Sequence, residues 1–443
     1  MLKLVPHRDR QMMMKIWGCR GIGVYVTRRH MLAITIPRYG GASFYTRFTD
    51  AGLTTAQTGV AMKTYTQLLR HTTLGLIASA ALLHAAEPVN ANAIRDNEAL
   101  VQIAILLDTS NSMDGIIEQA KSQLWKIVNE FNDAKQGDKT PVVQVALYEY
   151  GNTNLSVGTN YIRQVLPFTR DLDKVSEQLF KLTTNGGDEY CGAVIREALD
   201  KLTWDKNSKT YKAIFIAGNE PFTQGPINPN DSCKGAIQKG VVVNTIHCGN
   251  HAEGENGGWR TGAALAEGRF LTIDQDKAVV HIEAPQDKEI TRLSVKLNNT
   301  YIIYGKDGAR GASNQAAQDS NAAKYKSAGT EVQRALTKTS SNYKNSTWDL
   351  VDACKKDGVK LESVREEELP KELKDLKPGA RQAFVDQKAA ERAKIQSDIK
   401  KLNEERQKFV AEKAKEKGEE ATLDKVIVQA VREQAAKKAI EFK

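Results

Sequence analysis

The sequence predicts an α/β protein: a doubly wound, mostly parallel sheet followed by an α-helical C-terminal region. Three observations lead there. Between residues 101 and 273, short apolar runs alternate with amphipathic stretches, and strands alternating with helices imply a mostly parallel sheet covered on both faces. Polar, chemistry-bearing residues follow directly on several apolar runs, at the carboxyl ends where open α/β sheets bind ligands. Beyond about residue 305 the apolar runs give way to charged sequence of helical spacing.

Each element has its own signal. Val101 to Leu107 (VQIAILL) is almost wholly apolar, as a central strand buried on both faces must be. Gly115 to Ala134 repeats Ile116, Ala120, Leu124, Ile127 and Phe131 at helical spacing. Pro141 to Tyr150 is a second strand, and Tyr161 to Phe168 pairs with it as a hairpin through the polar turn 151–160. Asp171 caps a helix running to Leu182. Thr183 to Asp188 is a loop, and Ala193 to Leu202 a helix. Strands at Ala213 to Ala217, Val241 to Ile246 and Phe270 to Ile273 alternate with short helices at Ser232 to Lys239 and Gly262 to Glu267.

The C-terminal region, 305–443, reads differently. Gly305 to Ala323 is small and polar and is expected to be a linker. Thr330 to Tyr343 and Ser346 to Cys354 are helical pieces, the second with an inward-facing Trp348 and Leu350. Arg381 to Lys415 forms one long charged helix. Its Ile395, Ile399, Leu402 and Phe409 span about two heptads, short of the three to four that define a coiled coil. An amphipathic helix packing on its own chain is the reading preferred over a dimeric coiled coil. Glu419 to Lys443 adds a last amphipathic helix.

Charge and cysteines bound the function. The net charge is +9, but +7 of it lies in residues 1–61 and +1 in residues 62–93, leaving +1 on the body. A nearly neutral body has no global attraction for phosphate backbones, so nucleic acid is not an expected partner. Residues 62–93 carry the three parts of a secretory signal peptide. Lys63 and Arg70 form a basic region, Leu74 to Ala86 a short apolar one, and Ala91-Asn92-Ala93 a small-x-small cleavage site. The apolar run is too short to span a membrane, which takes roughly 20 residues. Signal peptides stand at the true N-terminus, so translation is expected to begin at Met62, with 1–61 an upstream extension added by a wrong start. The mature protein is then periplasmic or secreted, in an oxidising space. Cys191, Cys233, Cys248 and Cys354 permit two disulfides. A bridge between two of the first three is expected, Cys233–Cys248 first, because they sit on adjacent units. A soft-metal site from these thiols with His247, His251 and Glu253 matches no trusted zinc spacing.

Asp108-Thr109-Ser110-Asn111-Ser112 follows the first buried strand and precedes the first amphipathic helix. A strand, then Asp-x-Ser-x-Ser, then a helix resembles the von Willebrand factor A (VWA) family, and the order of elements matches over about residues 98–300. The resemblance implies a Rossmann-like fold and a metal-ion-dependent adhesion site (MIDAS). There the Asp works through water, the two Ser hydroxyls coordinate a divalent cation, and an open position accepts a carboxylate from a partner protein. Mg²⁺ is the first expectation, with Mn²⁺ and Ca²⁺ as alternatives; hard oxygen ligands suit such cations.

Two positions depart from the family pattern. The Thr that normally follows Gly-Gly is replaced by Asp188 after Gly186-Gly187. The Asp that normally ends the fourth strand is replaced by Gly218 or Asn219, depending on register. Asp188 is expected to compensate, giving a metal set of Asp108, Ser110, Ser112, Asp188 and Asn219. No nucleophile elbow and no phosphate-binding loop is present, so no catalytic residues are assigned. The expected function is metal-dependent protein binding in the cell envelope. One alternative is a structural envelope protein that binds through its C-terminal helices and whose metal site is degenerate; another is a metal-dependent hydrolase. The partner's identity and the oligomeric state are not encoded in any motif.

Overall fold

The computed structural model describes residues 98–114, 117–131, 134–273, 282–324, 329–416 and 423–442, together with the backbone of six strands between residues 3 and 55. The chain divides into two units, 1–89 and 90–443. In the first, Gly23–Thr27, Met31–Thr35, Ser43–Thr49 and Gly52–Thr55 form an antiparallel four-stranded sheet, and Lys3–Val5 pairs with Met13–Lys15. The expected signal peptide, 62–93, lies outside the described residues.

The second unit is built on six strands: β1 (Leu100–Asp108), β2 (Val142–Tyr150), β3 (Ile162–Thr169), β4 (Tyr211–Gly218), β5 (Val242–Cys248) and β6 (Phe270–Ile273). Their order in the sheet is β6-β5-β4-β1-β2-β3, parallel throughout except for β3, which pairs antiparallel with β2 as the hairpin reading expects. The apolar run of β1 serves two cores. Val101, Ile103, Ile105 and Leu107 enter the cluster on one face, while Ala104 and Leu106 enter the cluster on the other. Alternation along a strand sends successive side chains to opposite faces, so a strand covered on both must be apolar at nearly every position.

One face is covered by α1 (Ile117–Glu130) and α2 (Leu172–Lys181), the other by α3 (Cys191–Lys201), α4 (Pro229–Gln238) and α6 (Trp259–Leu265), with the short α5 (His251–Asn256) between the last two. Asp171 caps α2 by accepting from the Lys174 N–H at 2.9 Å. The chain runs from β1 outward through β2 and β3, then crosses to the other side of β1 for β4 to β6. The order therefore reverses between β1 and β4. Their carboxyl ends, at Asp108 and Gly218, flank the crevice where such a reversal opens a ligand site.

The C-terminal region corrects one expectation. Residues 305–323 are not a linker: Gly308–Lys324 is helix α8, after α7 (Asp287–Asn298). Its small residues are the reason. Six alanines between 309 and 323 favour helix, and Gly311 lets Trp348 lie directly on the helix, since a Cβ there would come 2.3 Å from Trp348 Cγ. The region continues through α9 (Thr330–Thr337), α10 (Leu350–Lys356), α11 (Lys371–Lys374), α12 (Pro378–Glu416) and α13 (Leu423–Ala436). Ile395 and Ile399 of α12 are buried against α7 and α9 of their own chain. The last helix returns to the sheet, where Ile427, Val431 and Ala435 join the same core as β1 and α1.

Two buried ion clusters tie the helices together. Arg334 on α9 reaches Asp173 on α2 at 2.6 Å and Asp319 on α8 at 2.8 Å, and Lys338 also meets Asp319 at 2.8 Å. Arg392 on α12 joins Asp349 at 2.7 Å and Asp352 at 3.0 Å, and its guanidinium lies over the Tyr301 ring. Among the described residues no helix is long and apolar enough to cross a membrane.

Candidate metal-ion site at the strand ends

Asp108 ends β1 fully buried. Its Oδ1 accepts the Ser110 N–H at 2.8 Å, a tight turn that aims the following residues back over the carboxylate. Oδ2 is buried without a hydrogen-bond partner. The Ser110 and Ser112 hydroxyls meet at 2.8 Å, and Ser112 donates to Asn219 Oδ1 at 3.0 Å. Four of the predicted residues, Asp108, Ser110, Ser112 and Asn219, therefore form one connected group across the β1–β4 crevice.

The fifth does not join it. Asp188 is exposed and takes a hydrogen bond from the Tyr190 hydroxyl at 3.2 Å. The next residue, Glu189, is buried instead, with its carboxyl near Asp108 and Ser110. The second carboxylate at this edge is Glu189, one position beyond the expected one. Two adjacent acids after Gly186-Gly187 leave the choice open in sequence; loop geometry makes it. Gly151 has φ +79°, and a Cβ there would come 2.8 Å from Asp108 Oδ1 and 2.9 Å from Glu189 Cγ. A Cβ on Gly187 would come 2.0 Å from the Gly151 carbonyl oxygen. Glycine at both positions lets the two loops close until the carboxylates share one pocket. Asn152 braces them, donating to the Thr109 carbonyl at 3.3 Å and the Thr183 carbonyl at 3.0 Å. Gln224 accepts the Glu189 N–H at 2.9 Å.

The electrostatics follow from this closeness. Burial pushes the Asp108 carboxyl up to about 7, against the pull of the Ser110 hydrogen bond. Burial, and then the charges of Asp108 and Glu220, push Glu189 up to about 7 as well. Two acids that resist ionising side by side form a site that favours a cation. The donor set is all oxygen, which fits a small hard divalent ion, and the orphaned Asp108 Oδ2 is an open ligand position.

The cysteines among the described residues do not pair. Cys191, Cys233, Cys248 and Cys354 are all free thiols. The expected Cys233–Cys248 bridge fails because Cys248 packs into the core on one face of the sheet and Cys233 into the core on the other. Adjacency of units says nothing about which face a side chain takes. Cys191 lies beneath the site, its Sγ 3.7 Å from the Tyr150 hydroxyl, and burial pushes its thiol well up. His247 is buried with both ring nitrogens unpartnered, so it pairs with neither Ser110 nor Ser112 as a serine hydrolase would need. Among the described residues no group of three or more His, Cys, Asp and Glu side chains is placed to hold a metal ion by itself, so the hydroxyls of Ser110 and Ser112 are needed to complete the donor set.

A doubly wound sheet with Asp-x-Ser-x-Ser at its switch point defines a class of α/β ligand-binding domain. Residues 102–263 match the model of the von Willebrand factor type A domain, and the chain is a VWA-domain protein. No curated protein sequence matches it. Solved structures similar to it include the conserved hypothetical protein BatB from Bacteroides thetaiotaomicron, 18% identical over 39% of this chain and 90% of that one, with a TM-score of 0.31. Another is proximal thread matrix protein 1 from the mussel byssus with a zinc-occupied MIDAS motif, 16% identical over 41% of this chain and 43% of that one, with a TM-score of 0.30. A third is the pilus adhesin SpaC from Lactobacillus rhamnosus GG, 14% identical over 41% of this chain and 29% of that one, with a TM-score of 0.31.

Proposed function

We propose that the protein is a divalent-cation-dependent protein-binding module of the cell envelope, exported by the signal-peptide pattern of residues 62–93. Asp108, Ser110, Ser112 and Glu189 would hold the cation, with Asn219 orienting Ser112. The observation that carries the reading is the Asp108 carboxylate, fully buried at the switch point with Oδ2 unpartnered and a second carboxylate beside it. A bound cation would supply the positive charge that this pair lacks. VWA domains often serve as metal-dependent interaction modules, which supports a binding role.

Calorimetric titration of Mg²⁺, Mn²⁺ and Ca²⁺ into the protein tests it. Binding is expected in the parent protein and lost in Asp108→Ala and Glu189→Ala, while Asp188→Ala retains it. A titration flat for all three ions would sink the cation site. Loss in Asp188→Ala with retention in Glu189→Ala would return the ligand role to Asp188.

A further inference from the structure

Far from the strand ends, Lys338 follows α9 with its side chain fully buried. Its Nζ donates to three groups: Asp319 Oδ2 on α8 at 2.8 Å, Asn298 Oδ1 at the end of α7 at 3.0 Å, and the Ser294 carbonyl at 3.3 Å. Asn298 Nδ2 donates to the same Asp319 Oδ2 at 2.7 Å. An amine, a primary amide and a carboxylate oxygen that touches both nitrogens thus meet at one point. Packing holds them there. Ile290, Leu293 and Leu297 of α7 share a core with Val332 and Ala335 of α9. Arg334 grips the other Asp319 oxygen at 2.8 Å, and Gln396 of α12 donates to the Lys338 carbonyl at 2.9 Å.

The surroundings set the chemistry of this triad. Burial pushes Lys338 down to about 8, against the pull of Asp319. Near neutral pH a share of it is therefore free amine, the nucleophilic form. Against its own burial, Lys338 and Arg334 hold the Asp319 carboxyl below its ordinary value, so it is ionised and can accept a proton. The free amine keeps two hydrogens, which the Asp319 and Ser294 oxygens accept. Its lone pair then faces the remaining contact, the Asn298 amide. Groups held in contact in this way react as if within one small molecule, without the entropy cost of meeting.

We propose that Lys338 and Asn298 join in an intramolecular isopeptide bond that links the end of α9 to the end of α7. The Lys338 Nζ lone pair adds to Asn298 Cγ, and the carbonyl pair moves onto Oδ1. Asp319 Oδ2 takes a proton from the attacking nitrogen and passes it to Nδ2, the two nitrogens it already touches. The carbonyl then re-forms, the Cγ–Nδ2 bond breaks and ammonia leaves. One C–N bond forms and one breaks, and no oxidant, reductant or cofactor takes part. The product ties residues 298 and 338 around α8 by a bond that salt does not screen, where ion pairs alone are weakened by it.

The test is tryptic mass spectrometry of the full chain, held folded at pH 8 before digestion. Trypsin does not cut after a lysine whose amine is acylated. The expected product is therefore a branched peptide of 297–306 and 335–344, lighter than the sum of the two by one ammonia. It should vanish in Lys338→Arg, which keeps the positive charge, and in Asn298→Ala. Asp319→Asn removes the proton carrier and is expected to lower the yield on the order of ten-fold or more; an unchanged yield there would overturn the part given to Asp319. Recovery from the parent chain of only the linear peptides 297–306 and 335–338 would overturn the proposal, as would a branched peptide that survives in Lys338→Arg. The parent chain decides by itself, so a variant that fails to fold leaves the test standing.

Discussion

Asp108 and Glu189 show how two buried acids side by side cost stability when no cation offsets their charge. Both carboxyls stand well above their ordinary values. The sign follows from linkage. The folded protein holds these protons more tightly than the unfolded chain between about pH 4 and pH 7, so without a cation stability falls as pH rises through that window. In chelator, Asp108→Asn is expected to stabilise the protein at pH 8 by on the order of 2–4 kcal/mol and to change little at pH 4. Thermal melts at the two pH values check this; a destabilised variant at pH 8 without metal would contradict it. The residue scale is also where the sequence was ambiguous. Asp108, Ser110 and Ser112 were legible because they follow an apolar strand in fixed spacing. Glu189 was not, because Asp188 stands beside it and the choice between them depends on the close approach of Gly151 and Gly187.

At the scale of elements, alternating periodicity placed every strand of the six-stranded sheet and most of the helices around it, but none of the strands between residues 3 and 55. It failed at α8, where small polar residues looked like a linker. Composition hid the helix because what orders it comes from elsewhere: Trp348 lies on Gly311, and Gln318 accepts from Ser176 of α2 at 3.0 Å. Gly311→Ala therefore meets opposing effects. It raises intrinsic helix propensity by up to about 1 kcal/mol, but a Cβ 2.3 Å from the indole forces the ring out of its seat. Overpacking of this kind costs about 1–3 kcal/mol, so net destabilisation is expected in urea titration. An unchanged midpoint would mean that the indole can move at little cost. The long helix α12 packs Ile395 and Ile399 on α7 and α9 of its own chain.

At the scale of the second unit, the last helix is part of the core beneath the six-stranded sheet. Ile427, Val431, Ala435 and Ile440 lie in the cluster that holds β1, β2 and α1. Gln434 closes a buried polar network, accepting from the Tyr211 hydroxyl at 2.8 Å and exchanging hydrogen bonds with Asn244. Glu441 pairs its backbone with Lys135 next to α1. Each of the larger side chains contributes roughly 1.5–3 kcal/mol by burial. A fragment cut near residue 300 is thus expected to lose several kcal/mol, aggregate, and melt without a sharp transition. A fragment folding as cooperatively as the full chain, by calorimetry, would refute this. The ion cluster of Asp173, Arg334, Asp319 and Lys338 crosses the same boundary and welds α2 to α8 and α9.

Fold class, strand order along the chain and the Asp-x-Ser-x-Ser edge could all be read from the residues, because each is written in local periodicity and spacing. The identity of the second carboxylate, the burial of each thiol on one face or the other, and the return of the final helix to the sheet could not. Those depend on which segments touch in the fold, and contact between segments far apart in the chain leaves no period to read.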